Sequence, residues 1–291
     1  MNENDVERIR RDLDWLMTAP SLLSSPTLRW HPGQACTPAL PERIPAERLD
    51  TLIALRHGRL GAYFEALATA LLEHSPDFTL LARNRVIHGD GRTLGELDLL
   101  LRDHRANRIL HLELALKFYL KLEPEETDPE PDHLWIGPGQ RDFLAIKHDR
   151  MLDHQLRLPD LARRHNAWPA DLPRPDRSEA WVTGRLFHRE RAAFKTPIVA
   201  ADASIGHWLT LSEFNAREFD GHWISKADWL SPELDRTPAP IKHPLPGQFL
   251  GAPAGDDRPR HWFIVPDDWP VSARNRMLAR FQPSVEIQPG D

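Results

Sequence analysis

Apolar residues recur at helical spacing in three stretches of the chain, residues 5–17, 46–73 and 142–158. Spacings of three and four residues place such side chains on one face of a helix, so each stretch predicts an amphipathic helix. Gly58 and Gly61 interrupt the second stretch, which we therefore expect to divide into two helices.

Strand-like sequence lies between the second and third helical stretches. Residues 78–87, 94–101 and 109–122 are rich in bulky apolar side chains, which predicts three consecutive strands. Two glycines within residues 88–91 predict a hairpin turn. Another strand is predicted over residues 180–187. This order of elements predicts an α/β fold in which helices flank a mixed sheet.

Proline and tryptophan are frequent in the chain, with 27 and 10 among 291 residues, and the prolines mostly separate apolar segments. We expect an N-terminal helical lead-in over residues 1–50 and an α/β core over residues 51–190. Residues 191–291 are interpreted as a Trp- and Pro-rich elaboration of the same domain or as a small subdomain. Residues 159–178, rich in proline and arginine, predict a linker whose arginines are solvated or contact phosphate.

Composition narrows the range of functions. The net charge of −6 argues against a protein that coats nucleic acid non-specifically, because such proteins are usually basic. The single cysteine, Cys36, excludes a disulfide framework and a multi-cysteine zinc site. The chain has no long apolar run and a polar N-terminus, so we expect a cytoplasmic protein without membrane partners. The absence of phosphate-loop, nucleophile-elbow and HExxH motifs disfavours ATPases, dehydrogenases, serine hydrolases and zinc proteases.

The second and third predicted strands carry the candidate chemistry. Alternation places Leu97, Leu99 and Leu101 on one face of the second strand, and Glu96 and Asp98 on the other.

On the third strand, leucines and Phe118 share one face, and the opposite face carries His111, Glu113, Ala115, Lys117 and Tyr119. If the two strands pair, Asp98 and Glu113 lie together, and a divalent cation such as Mg²⁺ would offset their repulsion. Lys117 can reach the same site to hold a water or neutralise a phosphate. The alternative is two solvent-facing acids, and His111 is either a ligand or, more commonly, a hydrogen-bonded flank.

The spacing of Asp98, Glu113 and a following lysine resembles the PD-(D/E)XK nuclease superfamily. The runs GELDLLL, HLELALKFYL and WIGPGQRDFL resemble an uncharacterised bacterial family of unknown function that is grouped with that superfamily. The resemblance implies a restriction-endonuclease-like core of helix, three-strand meander, helix and strand. It also implies a site glutamate on the helix before the meander, matched by Glu65, and a glutamine or lysine on the helix after it. Gln155 is the nearest match there, with Lys147 and Gln140 as weaker candidates.

The function implied by this resemblance is Mg²⁺- or Mn²⁺-dependent hydrolysis of DNA or another nucleic acid. Asp98, Glu113 and Glu65 would hold the metal, together with the Leu114 carbonyl. Lys117 would position the attacking water, and Gln155 would orient a neighbour or the substrate.

One position departs from the superfamily pattern. Ala115 occupies the usual lysine position, and Lys117 lies two residues, about 7 Å, further along the strand. The alternative is therefore a nuclease-fold protein that has lost turnover and acts as a binding or scaffold module, and the oligomeric state stays open.

Overall fold

A computed structural model describes residues 3–35, 44–126, 128–190, 196–232 and 244–282. Cys36 lies outside these residues. None of the helices in these ranges is both long and apolar enough to cross a membrane.

The described residues form an α/β structure. Its helices are α1 (Glu3–Thr18), α2 (Pro32–Ala35), α3 (Ala46–Arg56), α4 (Leu60–Glu73), α5 (Leu144–Arg150), α6 (Leu158–Arg164), α7 (Leu211–Asn215) and α8 (Trp269–Phe281). Its strands are β1 (Phe78–Gly89), β2 (Arg92–Asp103), β3 (Arg108–Lys121), β4 (Trp135–Ile136), β5 (Arg177–His188), β6 (Ile205–Thr210), β7 (Phe219–Ile224), β8 (Gly247–Pro253) and β9 (Arg260–Val265).

The strands join one large mixed sheet in the described part of the chain, in the order β1-β2-β3-β5-β6-β9-β8-β7, and β4 pairs with β3 outside this order. The meander β1-β2-β3 is antiparallel, whereas β3, β5, β6 and β9 run parallel to one another. β8 then pairs antiparallel with β9, and β7 pairs antiparallel with β8. The α/β class and the mixed sheet predicted from the sequence are therefore confirmed.

The predicted helix and meander are present with small changes of boundary. The second helical stretch divides into α3 and α4 around Gly58, as its glycines predicted. β1 extends to Gly89 and β2 begins at Arg92, so the hairpin turn contains only Asp90 and Gly91.

The third helical stretch is not one helix. It contains α5, a π-helical turn over Met151–Gln155, and then α6. The predicted linker over residues 159–178 was wrong in its first part, because α6 continues to Arg164 and buries Ala162. These elements cover the sheet next to β2 and β3.

Helices cover both faces of the sheet around β3. Leu112 packs on one face in a cluster with Phe64 of α4 and Trp181 of β5. On the opposite face, Ala115 and Tyr119 pack in a cluster with residues of α5 and the π turn. The polar side chains of β3 therefore lie between a helix layer and the sheet, and not on an open surface.

Leu97 departs from its predicted place. Leu99 and Leu101 belong to the cluster that includes α4, as expected. Leu97 is fully buried, but it packs with Leu94 and Leu158 in a separate cluster against α6. The three leucines therefore do not share one core, because α6 supplies its own apolar surface at this end of β2.

Candidate functional site

Between β2 and β3, the side chain of Asp98 accepts a hydrogen bond from a backbone N–H, as a backbone carbonyl does elsewhere in the ladder. The paired register of these strands ends at Leu99 opposite Leu112, and its continuation places Asp98 opposite Glu113. Asp98 Oδ2 accepts a hydrogen bond from the backbone N–H of Leu114 at 2.8 Å. The two acids therefore meet where the ladder stops.

Glu113 is fully buried, and each of its oxygens accepts a hydrogen bond. His111 Nε2 lies 2.8 Å from Oε1, and Gln155 Nε2 lies 2.5 Å from Oε2. The π turn carries Gln155, so this segment reaches across to the centre of β3. The other ring nitrogen of His111, Nδ1, lies 3.1 Å from the hydroxyl of Ser178 on β5.

Burial and like charge together perturb Asp98. Burial, followed by the charges of Glu113 and Glu65, raises the pKa of Asp98 to about 7. The Leu114 N–H and the ammonium of Lys147 partly offset this rise. A carboxyl group placed beside a second acid in a poorly solvated site keeps its proton more readily, and the same arrangement favours a bound cation.

Glu65 lies at the exposed margin of the site. It belongs to α4 and is exposed to solvent, but partial burial, followed by the charge of Glu96, raises its pKa. Its charge acts on Asp98 in turn. Glu65 is therefore within electrostatic reach of the acids, at the position that the sequence resemblance implied.

Two lysines lie within electrostatic reach of each other, and they differ in their partners. Lys117 Nζ is 2.5 Å from Asp142 Oδ2 in a half-buried ion pair. Lys147 Nζ donates to Gln155 Oε1 at 2.8 Å. Burial lowers the pKa of Lys147, the charge of Lys117 lowers it further, and Glu113 and Asp98 oppose both effects.

The structure therefore brings most of the predicted site residues together. Asp98, Glu113 and Gln155 converge, with Lys147 as a fourth member that the sequence had ranked lower. Ala115 is buried in the apolar cluster on the α5 side, so the usual lysine position faces packed side chains.

His111 is the hydrogen-bonded flank that the sequence favoured, because its ring contacts the Glu113 carboxylate. Its alternation with Glu113 on the same strand face was the available signal. Its contact with Ser178 could not be derived from the chain, because it depends on the parallel register of β3 and β5.

Asp98, which is half-buried, and Glu113, which is buried, offer only oxygen atoms to a cation. No group of three or more His, Cys, Asp or Glu side chains suited to hold a metal occurs among the described residues. Mg²⁺ is usually held by one or two carboxylates with several waters, so the Asp98–Glu113 pair is compatible with such an ion.

Comparison with known proteins supplies the family. No curated protein and no solved structure matches the chain. The model of the family described as "Domain of unknown function (DUF1853)" matches residues 11–243, well over half of the 291 residues. This match confirms the prediction that the sequence falls in a domain family of unknown function. The chain belongs to the DUF1853 family.

Proposed function

We propose that this protein is a metal-dependent phosphodiesterase that hydrolyses a nucleic acid and has a PD-(D/E)XK-type core. The observation that carries the proposal is the convergence of Asp98 and Glu113 at the open end of the β2–β3 ladder. Gln155 and Lys147 join them from the segment that follows the meander.

The order of elements supports this proposal. α4 precedes the antiparallel meander, α5 follows it, and β5 then pairs in parallel with β3. This is the helix, meander, helix and strand order that the sequence resemblance implied. Fold order alone does not define an activity, whereas the acids and their neighbours supply specific chemistry.

The donor set fits a hard divalent cation. Each carboxylate oxygen has two acceptor positions, so Glu113 retains acceptor capacity beyond its bonds to His111 and Gln155. Asp98 and Glu113 would hold Mg²⁺ or Mn²⁺, and Glu65 would complete the set directly or through water. A bound ion of this kind neutralises phosphate charge and makes a coordinated water more acidic.

The two lysines supply the positive charge that a phosphodiester needs. Lys147 donates a hydrogen bond to Gln155, and the charges of Asp98 and Glu113 act on its ammonium group. Lys117 donates to Asp142, and it would position the attacking water when its ammonium also contacts the substrate. Because preorganised cations near a developing negative charge lower the barrier, both lysines are expected to contribute.

Metal titration of the purified protein tests the proposal. Mg²⁺ or Mn²⁺ should raise the melting temperature, because binding to the folded state alone adds about 2.7 kcal/mol at a hundredfold excess over Kd. Asp98→Asn and Glu113→Gln should abolish this rise and any cleavage of single- or double-stranded DNA and RNA. Asp220→Asn, an exposed aspartate on β7 at the far edge of the sheet, is the matched control. Wild-type protein that neither binds these ions nor cleaves any of these substrates would refute the enzyme proposal.

The second candidate is a nuclease-fold module that binds without turnover. Ala115 at the usual lysine position, the Lys117–Asp142 ion pair and the net charge of −6 favour it. It predicts that a partner or nucleic acid is retained without cleavage in the presence of Mg²⁺ or Mn²⁺. It also predicts that Asp98→Asn leaves this binding intact.

A further inference from the structure

Four hydrogen bonds form a continuous chain through the candidate site. The chain runs from Ser178 through His111, Glu113 and Gln155 to Lys147, with successive distances of 3.1, 2.8, 2.5 and 2.8 Å. It connects β5, β3, the π turn and α5. His111 and Glu113 at its centre are fully buried.

The direction of each bond follows from chemistry. The carboxylate of Glu113 can only accept, so the Nε2–H of His111 and the amide of Gln155 both donate to it. The amide oxygen of Gln155 then accepts from Lys147. With its Nε2 protonated, a neutral His111 has an acceptor at Nδ1, and the hydroxyl of Ser178 donates to it.

Two donors on opposite oxygens restrain the Glu113 carboxylate. The terminal torsion of a glutamate is broad, so an unrestrained carboxylate samples many orientations. Because His111 and Glu113 are shielded from water, no solvent competes for these bonds. The remaining acceptor positions of Glu113 are therefore held in one orientation.

We infer that His111 and Gln155 are positioning residues that hold Glu113 in the orientation required for a divalent cation beside Asp98. This inference rests on the proposed function for the existence of that cation. Ser178 acts one step further out: it lies opposite His111 in the parallel β3–β5 ladder and fixes the ring. Hydrogen-bonded partners of metal-binding side chains typically change metal affinity 10- to 100-fold when removed.

Calorimetric titration with Mn²⁺ of the full chain and its variants tests the inference. His111→Leu and Gln155→Leu should each weaken Mn²⁺ binding about 10- to 100-fold. His111→Gln, whose amide can still donate to Glu113, should recover most of that loss. Ser178→Ala should weaken binding by a smaller factor, because it leaves both bonds to Glu113 in place.

Met277→Ala controls for general loss of stability. Met277 is fully buried in an apolar cluster around α8, and this cluster contains none of the residues of the hydrogen-bond chain. Its truncation should lower the melting temperature by several degrees and leave Mn²⁺ affinity unchanged. This separates an effect on Glu113 from a weaker fold.

The outcomes distinguish this inference from the proposed function. Wild-type affinity for Mn²⁺ in both His111→Leu and Gln155→Leu would overturn the inference while the metal site stands. Equal losses in His111→Gln and His111→Leu would overturn it for His111, because the restored donor would then be irrelevant. Wild-type protein that binds no Mn²⁺ would refute the metal site itself, and the inference with it.

Discussion

At the scale of single residues, the site is defined by a carboxyl group that the fold makes costly to ionise. Asp98 keeps one backbone hydrogen bond, but it lies in a poorly solvated position beside Glu113. A folded protein gains nothing in stability from such a pair unless a cation or proton is present. Acids whose ionisation lowers the stability of the folded protein in this way are typical of binding sites.

Asp98→Asn should stabilise the metal-free protein at pH 8 and should have little effect near pH 4. The pKa of Asp98 is about 7 in the folded protein against an ordinary 3.8, so the folded state binds the proton more tightly than the unfolded state. The wild-type protein therefore loses stability as pH rises from about 4 to about 7, and the loss is complete above that range. We expect a gain on the order of 1–3 kcal/mol at pH 8.

Urea unfolding in the presence of EDTA, at pH 8 and at pH 4, measures this difference. Asparagine can still accept from the Leu114 N–H, so the backbone contact is retained. A gain of equal size at both pH values would contradict the electrostatic explanation.

At the scale of elements, the sequence predicted the helices and strands whose apolar residues recur at a regular spacing. α1, α3, α4 and the meander were predicted, because their apolar residues follow the helix and strand periods closely. The acid pair was predicted for the same reason: alternation fixes which face a strand residue occupies. Lys147 was only a weaker candidate and the contact of His111 with Ser178 was not predicted, because both depend on contacts between distant elements.

Proline and glycine account for most of the missed elements. Prolines were interpreted as separators of apolar segments, but Pro159 and Pro270 each lie in the first turn of a helix, where no backbone N–H is needed. β7 and β8 contain Gly221 and Gly251, whose backbones approach so closely that a side chain would not fit. The sequence signals a break at such positions, whereas the structure uses them for helix starts and tight strand pairing.

Gly184→Ala should destabilise the protein by about 3 kcal/mol or more. Gly184 has φ of +138°, and an added Cβ would lie 1.9 Å from the carbonyl oxygen of Lys117 across the β3–β5 ladder. The strands must then separate or the backbone must rotate, and substitutions that force such strain are among the most destabilising.

Gly61→Ala is the opposite control for that experiment. Gly61 lies in the first turn of α4, and an added Cβ there has no neighbour within 4 Å. Alanine should stabilise by about 0.5–1 kcal/mol, because it favours the helix over the unfolded chain. Chemical unfolding of both variants checks the predicted difference in sign.

At the scale of the whole molecule, a short ladder joins the two halves of the sheet, the strands from β1 to β5 and those from β6 to β9. β5 and β6 pair only between Leu186–His188 and Ile205–His207. A buried polar cluster adds a second connection: Arg56 of α3 pairs with Asp228, which follows β7. Asp12 of α1 contacts Arg56 and accepts from Ser231. These contacts connect the N-terminal helices to the segment after β7.

Arg56→Met should lower stability by about 3–5 kcal/mol, because removing one partner leaves buried carboxylates without their cation. Arg56 is 5% exposed, Asp12 is fully buried, and Tyr63 already donates to Asp12 at 2.6 Å. The pKa of Asp12 is raised by its burial, which shows how poorly water can replace the arginine.

The same substitution should uncouple the two halves of the sheet. In wild type, tryptophan fluorescence and circular dichroism should report one urea transition, whereas in Arg56→Met the two signals should separate. Arg85→Met, which removes an exposed pair with Asp171, should change stability by less than about 1 kcal/mol and keep the transitions coincident. Coincident transitions in Arg56→Met would show that the polar cluster is not needed for cooperative unfolding, because the β5–β6 ladder and the apolar packing of Phe187 on Phe263 would then suffice.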